Sequence, residues 1–507
     1  MFELKPGALT LRDISMLLKT NTPIQLAAEA DDKIDAAYRV VQSIAGQEPS
    51  VYGINTGFGL LAHKKIARDD LKDLQRRIVL SHAAGVGAPL DDDTVKLILL
   101  LKINSLSRGY SGVSRALIDH LIAMFNAGIY PVIPEQGSVG ASGDLAPLAH
   151  LAMVLMGEGE AHVQGVRLPA SVALSRSHMK PVVLGEKEGL ALLNGTQVST
   201  AIAIIGLLKT QRNFAIGTIA GALSLDAAAA SLKPFRALIA SAKNNRGQVL
   251  FSAVIEHLLQ ASAIQRDHEH CTRVQDPYSL RCQPQVMGAV WSYLQDSQTH
   301  LMNEANAVSD NPLICIETGA VISGGNFHAE ITAFSADLLA IIGSEIGAIS
   351  ERRIALLMDS HLSGLPPFLV NNSGLNSGFM LAQVTAAALA SENKTYAHPA
   401  SVDSMPTSAN QEDHVSMATF AGVKLNKVAD NVLHILTIET LAACQGIDFR
   451  APLQTSPRLQ CYLDAVRAKV AFYHEDRYFG HDLSEAHAVI CQSAYYGVIH
   501  EQLFHAI

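Results

Sequence analysis

Three consecutive residues, Ala141-Ser142-Gly143, can together form an electrophile from the chain's own backbone. In a tight turn, the amide nitrogen of Gly143 can attack the carbonyl carbon of Ala141. Loss of one water from the ring and one from the Ser142 side chain then leaves an exocyclic methylidene-imidazolone, an electrophile that unmodified side chains do not supply. Gly137 and Gly140 give the flanking backbone the conformational freedom that such a turn needs. The same tripeptide also fits an ordinary glycine-rich turn, so its surroundings must decide between the two interpretations.

Those surroundings resemble a known family. Residues 137–150 read GSVGASGDLAPLAH, which is similar to the signature of the ammonia-lyases and aminomutases that carry a methylidene-imidazolone prosthetic group. Further blocks that resemble the family, in the family's order, occupy residues 52–59, 193–196, 275–281, 324–328 and 408–414. Several blocks in order are far more specific than one short motif. The resemblance covers roughly residues 5–450, and it implies a covalent, self-generated group from Ala141, Ser142 and Gly143 with no dissociable cofactor.

The resemblance implies that two tyrosines take part in catalysis. Tyr52 matches the tyrosine that the family places at the β-carbon of the substrate, and Tyr278 matches the second tyrosine of the site. A phenol with its ordinary pKa near 10 is a poor base at neutral pH. Service as the base would therefore require surroundings that lower the pKa of Tyr52. Without the resemblance, a buried structural tyrosine is the simpler interpretation.

The other candidate positions are implied to bind substrate: Ser81, His82, Asn194, Gln275, Arg281, Phe327 and Glu412. Arg281 suits the substrate carboxylate because a guanidinium can make two parallel hydrogen bonds to it; a surface salt bridge is the alternative. By resemblance, Asn194 donates a hydrogen bond beside the prosthetic group and Phe327 forms an apolar wall there. Outside these blocks, either would be a routine turn or core residue.

Two features indicate which amino acid is used. Ser81-His82 is the pair found in histidine-specific members of the family, whereas the tyrosine and phenylalanine enzymes carry His-Leu or Phe-Leu. Glu412 can accept a hydrogen bond from an imidazole N–H, but it would be left unpaired against a phenyl ring. The resemblance thus implies elimination of ammonia from L-histidine to give trans-urocanate, the first step of histidine degradation. The alternatives are a tyrosine or phenylalanine ammonia-lyase or an aminomutase, and a non-enzymatic helical scaffold whose turn never cyclises.

Composition excludes several other classes of protein. The net charge is −9, and no run of Lys or Arg exceeds two residues, so nucleic acid is not an expected partner. The apolar residues 201–232 are interrupted by a polar run at 209–213, which favours a buried helical pair over a membrane span. The 6 cysteines are scattered without a CxxC pair, and the first residues lack the pattern of a secretory signal, so a cytoplasmic protein with reduced thiols is predicted.

The chain has 20 histidines, and residues 267–271 (Asp267-His268-Glu269-His270-Cys271) place potential metal ligands side by side. Adjacent loop residues rarely converge on one ion, and neither HExxH nor a paired Cys/His spacing occurs. A solvated polar loop is the preferred interpretation. The sequence therefore predicts no metal site.

Apolar residues at helical spacing predominate, so a mainly α fold is predicted. An N-terminal domain, residues 1–195, carries the prosthetic-group loop and a short β-hairpin at 157–169. Residues 196–507 form a long-helix bundle and a C-terminal helical region. The expected long helices cover about 286–307, 328–359, 377–394 and 412–445. Apolar residues on more than one face of the last helix favour an oligomer core, and the resemblance implies a homotetramer whose active sites are shared between subunits.

Overall fold

A computed structural model describes residues 1–45, 50–57, 59–61, 63–267 and 274–504. Most of these residues are helical and the strands are short, which confirms the predicted mainly α fold. The α-helices are α1 Leu11–Lys19, α2 Asp31–Ala45, α3 Leu71–His82, α4 Asp92–Leu106, α5 Arg115–Ala127, α6 Leu145–Leu155, α7 Ala170–Arg176, α8 Glu188–Leu193, α9 Gln197–Ala227, α10 Ala237–Lys243, α11 Arg246–Leu259, α12 Ala263–Asp267, α13 Tyr278–Arg281, α14 Gln283–Ala305, α15 Glu330–Met358, α16 Ser360–Ser363, α17 Met380–Tyr396, α18 Ala418–Asp448, α19 Pro457–Arg467, α20 Phe479–Ile490 and α21 Ser493–Phe504.

The described strands form small separate sheets. They are β1 Phe2–Leu4, β2 Ile24–Leu26, β3 Val86–Pro89, β4 Ile129–Pro131, β5 Pro134–Gln136, β6 Glu160–Val163, β7 Val166–Pro169, β8 Leu313–Cys315 and β9 Ala320–Ile322. β1 pairs with β2 in parallel, whereas the pairs β3–β5, β4–β6, β6–β7 and β8–β9 are antiparallel. Strands β6 and β7 are the predicted hairpin. Gln164 and Gly165 join them with φ angles of 52° and 75°, the left-handed conformations that a tight two-residue turn requires.

The chain folds into two compact units, each built from three separate segments. The first unit contains Met1–Ile205, Gln298–Asp337 and Pro399–Val423. The second contains Gly206–Ser297, Leu338–His398 and Lys424–Ile507. The sequence-based division after residue 195 stays a prediction.

Within the first unit, helix α4 is buried along nearly its whole length. Asp91 begins it by accepting a hydrogen bond from the Thr94 amide at 2.8 Å, as expected of an acidic residue at the positive end of a helix. The buried stretch includes Lys102, which is 1% exposed. A charged group placed this deeply needs polar partners.

In the second unit, the polar run in α9 finds partners on α18. Lys209 contacts Asp430, and the side chain of Asn213 donates to the Ala429 carbonyl at 2.7 Å. These bonds allow α9 to continue as one helix, so the predicted pair of helices across residues 201–232 was wrong. Among the described residues, one helix, Glu330–Met358, is long and apolar enough to cross a membrane by length and composition, and 61% of its most apolar window is buried.

Three of the predicted long helices match α14, α15 and α17 to within a few residues. The fourth does not begin at residue 412, because α18 begins at Ala418. The backbone at Met417 has a φ of 58°, which is incompatible with a continuous right-handed helix. Residues 412–417 are therefore free to approach the loop at residues 137–144.

Candidate active site

The Ala141-Ser142-Gly143 turn is held against the segment after α8. Gly143 has a φ of 72° and forms an isolated parallel bridge with Gly195. A Cβ atom on Gly143 would lie 2.2 Å from the Gly195 carbonyl oxygen, so only glycine fits. The next amide, that of Asp144, donates to the same carbonyl oxygen at 2.8 Å.

The opposite side of the turn is held by the residues before α18. Ser416 Oγ donates to the Gly140 carbonyl at 3.0 Å, and the Met417 amide donates to the Val139 carbonyl at 2.8 Å. Gly140 has a φ of 65°, and a Cβ there would lie 2.2 Å from Ser416 Oγ. Both glycines flanking Ala141 and Ser142 are thus required by close approach of other parts of the first unit.

Asp144 anchors the turn through its side chain. Its fully buried carboxylate accepts hydrogen bonds from Ser138 Oγ at 2.8 Å and Thr419 Oγ1 at 2.8 Å. It also accepts from the amide and hydroxyl of Ser199 at 2.7 and 2.9 Å. Several donors to one buried carboxylate fix the backbone without leaving the charge unpaired.

Ala141 and Ser142 open onto a polar cavity of about 420 Å³ in the first unit. The cavity is lined by Tyr52, Gly59, Ala141, Ser142, Asn194, Asn311, Ser323, Gly324, Phe327, His328, Gln411, Glu412, Asp413 and His414. Its size suits a small polar molecule. The structure thus brings several predicted site residues to one cavity: Tyr52, Ala141, Ser142, Asn194, Phe327 and Glu412.

Glu412 directly contacts the serine of the turn. Ser142 Oγ donates to Glu412 Oε1 at 2.8 Å, and Thr407 Oγ1 donates to Glu412 Oε2 at 2.7 Å. A backbone bridge between Thr407 and Glu412 holds the segment in a non-helical conformation. The carboxylate is therefore positioned at Ser142.

Asn194 connects the cavity to a buried charged network. Its side chain donates to the Asn311 carbonyl at 2.7 Å, and its own carbonyl accepts from Lys102 Nζ at 2.6 Å. Lys187 and Asp310 form a buried ion pair at 2.6 Å. Burial lowers the pKa of Lys102 to about 7, although the negative charge of Asp310 opposes this shift. Asn194 is therefore held in place from both its side chain and its backbone.

The phenol of Tyr52 has a pKa above its ordinary value. Burial is the main cause, and the negative charges of Glu412 and Asp310 act in the same direction, while a hydrogen bond with the Gly59 backbone opposes them. A base at this position would need a lowered pKa, and the described residues of one chain do not lower the pKa of Tyr52. In this state Tyr52 is protonated at neutral pH.

Ser81 and His82 lie at the end of α3 in the first unit, and they are not among the residues that line the cavity. Ser81 Oγ is 3.1 Å from His82 Nδ1 and donates to the Ile78 carbonyl at 3.2 Å. Burial lowers the pKa of His82, and the charge of Glu412 opposes that shift. The imidazole is therefore electrostatically coupled to Glu412.

The remaining predicted positions belong to the second unit. Tyr278 is 70% exposed, and the Arg281 guanidinium lies over its ring at 4.5 Å from the ring centre. Arg281 Nη2 donates to Gln275 Oε1 at 3.1 Å, whereas Arg281 Nε is buried without a hydrogen-bond partner among the described residues. Gln275 and Arg281 line a separate cavity of about 310 Å³ in that unit.

Sequence reasoning did not select several residues that line the cavity: Asn311, Ser323, Gly324, His328, Gln411, Asp413 and His414. Most of them lie within the blocks that carry the family resemblance, but Asn311 and Ser323 do not. Asn311 stands in Asp310-Asn311-Pro312, a sequence that by itself indicates only a break between helices. Asn311 Oδ1 accepts from the Gly324 amide at 2.7 Å and so positions the loop before Phe327.

Residues 268–271 of the rejected metal cluster lie outside the described residues.

The chain is similar to known proteins over nearly its whole length. The chain is 54% identical over 501 residues to the histidine ammonia-lyase of Desulfotalea psychrophila, covering 99% of this chain and 98% of that protein. The crystal structure of histidine ammonia-lyase from Trypanosoma cruzi superposes with a TM-score of 0.92 at 38% identity, covering 99% of this chain and 96% of that one. The phenylalanine aminomutase of Pantoea agglomerans gives the same TM-score of 0.92 at 30% identity, covering 98% of this chain and 100% of that one.

Fold, site and relatives together define a carbon–nitrogen lyase. More particularly, the chain belongs to the aromatic amino acid lyase family, whose model matches residues 9–468. The family resemblance drawn from the sequence is thereby confirmed.

Proposed function

We propose that this chain eliminates ammonia from L-histidine to give trans-urocanate. The observation that carries the proposal is the contact of Glu412 with Ser142 at the wall of the polar cavity, because it places an imidazole-binding carboxylate beside the electrophile-forming residue. The relative of Desulfotalea psychrophila, which carries the name histidine ammonia-lyase, supports it over nearly the full length.

The turn fits the prosthetic group of the family. Gly143 occupies a position that excludes any side chain, and Ser142 lines the cavity. The amide of Asp144 is bonded to Gly195, so the turn keeps its shape without using the amide nitrogen of Gly143. That nitrogen is the atom that must attack the Ala141 carbonyl. Once formed, the methylidene-imidazolone supplies an electrophile that withdraws electrons from the bound amino acid and assists departure of its amine.

Glu412 is proposed to bind the imidazole N–H of the substrate. In the uncyclised turn its Oε1 accepts from Ser142, and cyclisation removes that hydroxyl as water. This leaves an acceptor oxygen facing the cavity, while Thr407 holds the other oxygen. An unpaired carboxylate is costly beside a phenyl ring, so the site favours histidine over phenylalanine.

Tyr52 is proposed to take the β-proton. Because its pKa is raised, the Tyr52 phenol keeps its proton in the chain without substrate. A cationic substrate would make that proton easier to lose. In the cavity, the positive charge of the substrate's ammonium group would oppose the negative charges of Glu412 and Asp310 that raise the Tyr52 pKa. The phenolic proton is then lost more easily with substrate bound than in the chain without substrate.

Gln275, Tyr278 and Arg281 are proposed to complete the site from a neighbouring subunit of a homotetramer. Arg281 would bind the substrate carboxylate, and its buried Nε, which lacks a partner among the described residues, supports this role. His82, whose pKa burial lowers and the charge of Glu412 raises, would adjoin the imidazole, with Ser81 beside it. We also propose a cytoplasmic location, from the scattered cysteines.

The test is an activity assay with purified full-length protein. L-histidine, L-tyrosine and L-phenylalanine are supplied separately, and the products are followed by their ultraviolet absorbance and by release of ammonia. We expect urocanate from histidine at a rate far above the products of the other two. Preferred turnover of tyrosine or phenylalanine, or a β-amino acid product without ammonia, would instead support the lyase or aminomutase alternatives.

A further inference from the structure

We propose that His328, Glu330 and His414 form a binding site for a borderline divalent cation such as Zn²⁺ at the edge of the cavity in the first unit. One potential ligand atom from each residue lies within 4.8 Å of the other two. Two imidazoles with one carboxylate are a ligand set that zinc sites use when a further coordination position stays open. This differs from the sequence-based expectation of no metal, which considered residues 267–271.

The carboxylate of Glu330 provides an independent indication of a ligand. Glu330 Oε2 is buried and has no hydrogen-bond partner among the described residues. It lies 3.7 Å from His328 Nδ1 and 4.0 Å from His414 Nε2, too far for hydrogen bonds. A buried carboxylate oxygen without a donor is costly, and a cation between these three groups would remove that cost.

The spacing is close to what coordination requires. Ligand atoms at about 2.0–2.1 Å from a tetrahedral ion are about 3.3–3.4 Å apart. The separations of 3.7 and 4.0 Å to Glu330 exceed this by a few tenths of an ångström, and the two imidazole nitrogens lie within 4.8 Å of each other. Rotation of the side chains would have to bring the three ligand atoms together around an ion. The two rings are nearly parallel, with an angle of 5° and centres 5.8 Å apart, so both can turn an edge toward the carboxylate.

An ion could reach this position through the cavity, and its binding would affect the segment that carries Glu412. His328 and His414 both line the cavity, and the side chain of His414 is 69% exposed. Glu330 is the first residue of α15, whereas His414 lies only two residues after Glu412. Coordination would therefore attach the segment that carries Glu412 to the beginning of α15.

Equilibrium dialysis of chelator-treated, full-length protein against Zn²⁺ tests the site without any assay of turnover, so its failure is distinct from failure of the proposed function. The wild type is expected to bind a Zn²⁺ ion with an affinity at least about tenfold higher than Glu330→Gln or His414→Ala. His361→Ala, at an exposed histidine of α16, is the matched control and should bind as the wild type does. Equal binding by wild type, Glu330→Gln and His414→Ala would overturn the proposal.

Hydrogen–deuterium exchange gives a second readout that does not depend on other zinc-binding histidines. In the wild type, Zn²⁺ should slow exchange of backbone amides in residues 407–417. In Glu330→Gln, the same concentration of Zn²⁺ should leave their exchange unchanged. Slowed exchange in both proteins, or in neither, would show that the ion does not join His414 to Glu330.

Discussion

The two groups of predicted site residues differ in how completely one chain holds them. In the first unit, the turn at Ala141–Gly143 is fixed by Asp144 and Gly195, and Glu412 is bonded to Ser142. In the second unit, Tyr278 is 70% exposed and Arg281 Nε lacks a partner among the described residues. The side chains of the first group are held by hydrogen bonds within the chain. In the second group, an exposed ring and an unpaired guanidinium nitrogen leave contacts that another molecule could make. This contrast is the physical basis for proposing that subunits share their active sites.

The largest expected effect is that of Ser142→Ala, which removes the hydroxyl that must leave as water. Turnover of L-histidine should fall on the order of a thousandfold or more, as it does when a covalent catalyst loses its reactive group. Thermal denaturation serves as the control for folding, and it should change little because cyclisation has already removed the Ser142 hydroxyl and its one hydrogen bond from the wild type. Near-normal turnover in this variant would show that the turn has no catalytic role.

Glu412→Gln should have the next largest effect. A hydrogen bond to a charged group contributes about 1.5–3 kcal/mol, so kcat/KM with histidine should fall about 10- to 150-fold. The charge of Glu412 also contributes to the raised pKa of Tyr52. Since the base must be deprotonated, activity rises with pH toward that pKa, and removal of the charge should move this rise to lower pH. An unchanged pH profile would show that the charge of Glu412 does not affect the pKa of the catalytic Tyr52.

Arg281→Lys tests the second unit's contribution to substrate binding. Lysine keeps the charge but cannot make two parallel hydrogen bonds, so kcat/KM should fall by about tenfold, mainly through KM. The methyl ester of histidine is the matched substrate, because it lacks the carboxylate. If the ester is used as well as histidine by the wild type, Arg281 does not bind the carboxylate.

Co-expression of Tyr52→Phe with Arg281→Ala tests the sharing of sites directly. If each site takes Tyr52 from one subunit and Arg281 from another, random mixing leaves about a quarter of the sites with both residues intact. Activity should recover to about that level from two nearly inactive variants. The control is the same mixture prepared from separately purified, unexchanged oligomers. Verified mixed oligomers without recovery would show that one chain supplies both residues.

A last effect concerns the stability of the buried network, without a direct effect on turnover. Lys102 has a pKa of about 7 in the folded chain and an ordinary value near 10.5 when unfolded. Between these values the unfolded chain binds more protons, so this group makes the free energy of unfolding rise with pH by at most about 1.4 kcal/mol per unit. Compared with Lys102→Met, the wild type should gain stability from pH 7 to pH 10 at fixed protein concentration. Lys243→Met, at an exposed position, should show no such difference.

Sequence reasoning succeeded where the determinants are local. The hairpin at β6 and β7 follows from alternation around Gln164 and Gly165, all within one short segment. The predicted start of α18 was wrong, because Ser416 bonds to Gly140, far away in sequence. The spacing of apolar residues along the chain does not predict a contact between residues so far apart in sequence.

The same reason explains what was missed in the site. The family blocks contain His328 and His414, but they give no sign that the Glu330 carboxylate lies near both imidazoles. Lys102 lies within an apolar helix, and its partner is the backbone carbonyl of Asn194. Backbone partners carry no side-chain signature in a sequence. Residue types thus predicted the chemistry, whereas the network that holds the turn required coordinates.

The most direct test of the central claim is the intact mass of the purified, active protein. Cyclisation of Ala141-Ser142-Gly143 and dehydration of Ser142 remove two waters, so the wild type should weigh roughly 36 Da less than its sequence mass. Digestion should assign the whole deficit to the peptide that contains residues 137–145. Ser142→Ala cannot lose the second water and should lack the full deficit. An active wild-type protein at its unmodified sequence mass would contradict the account.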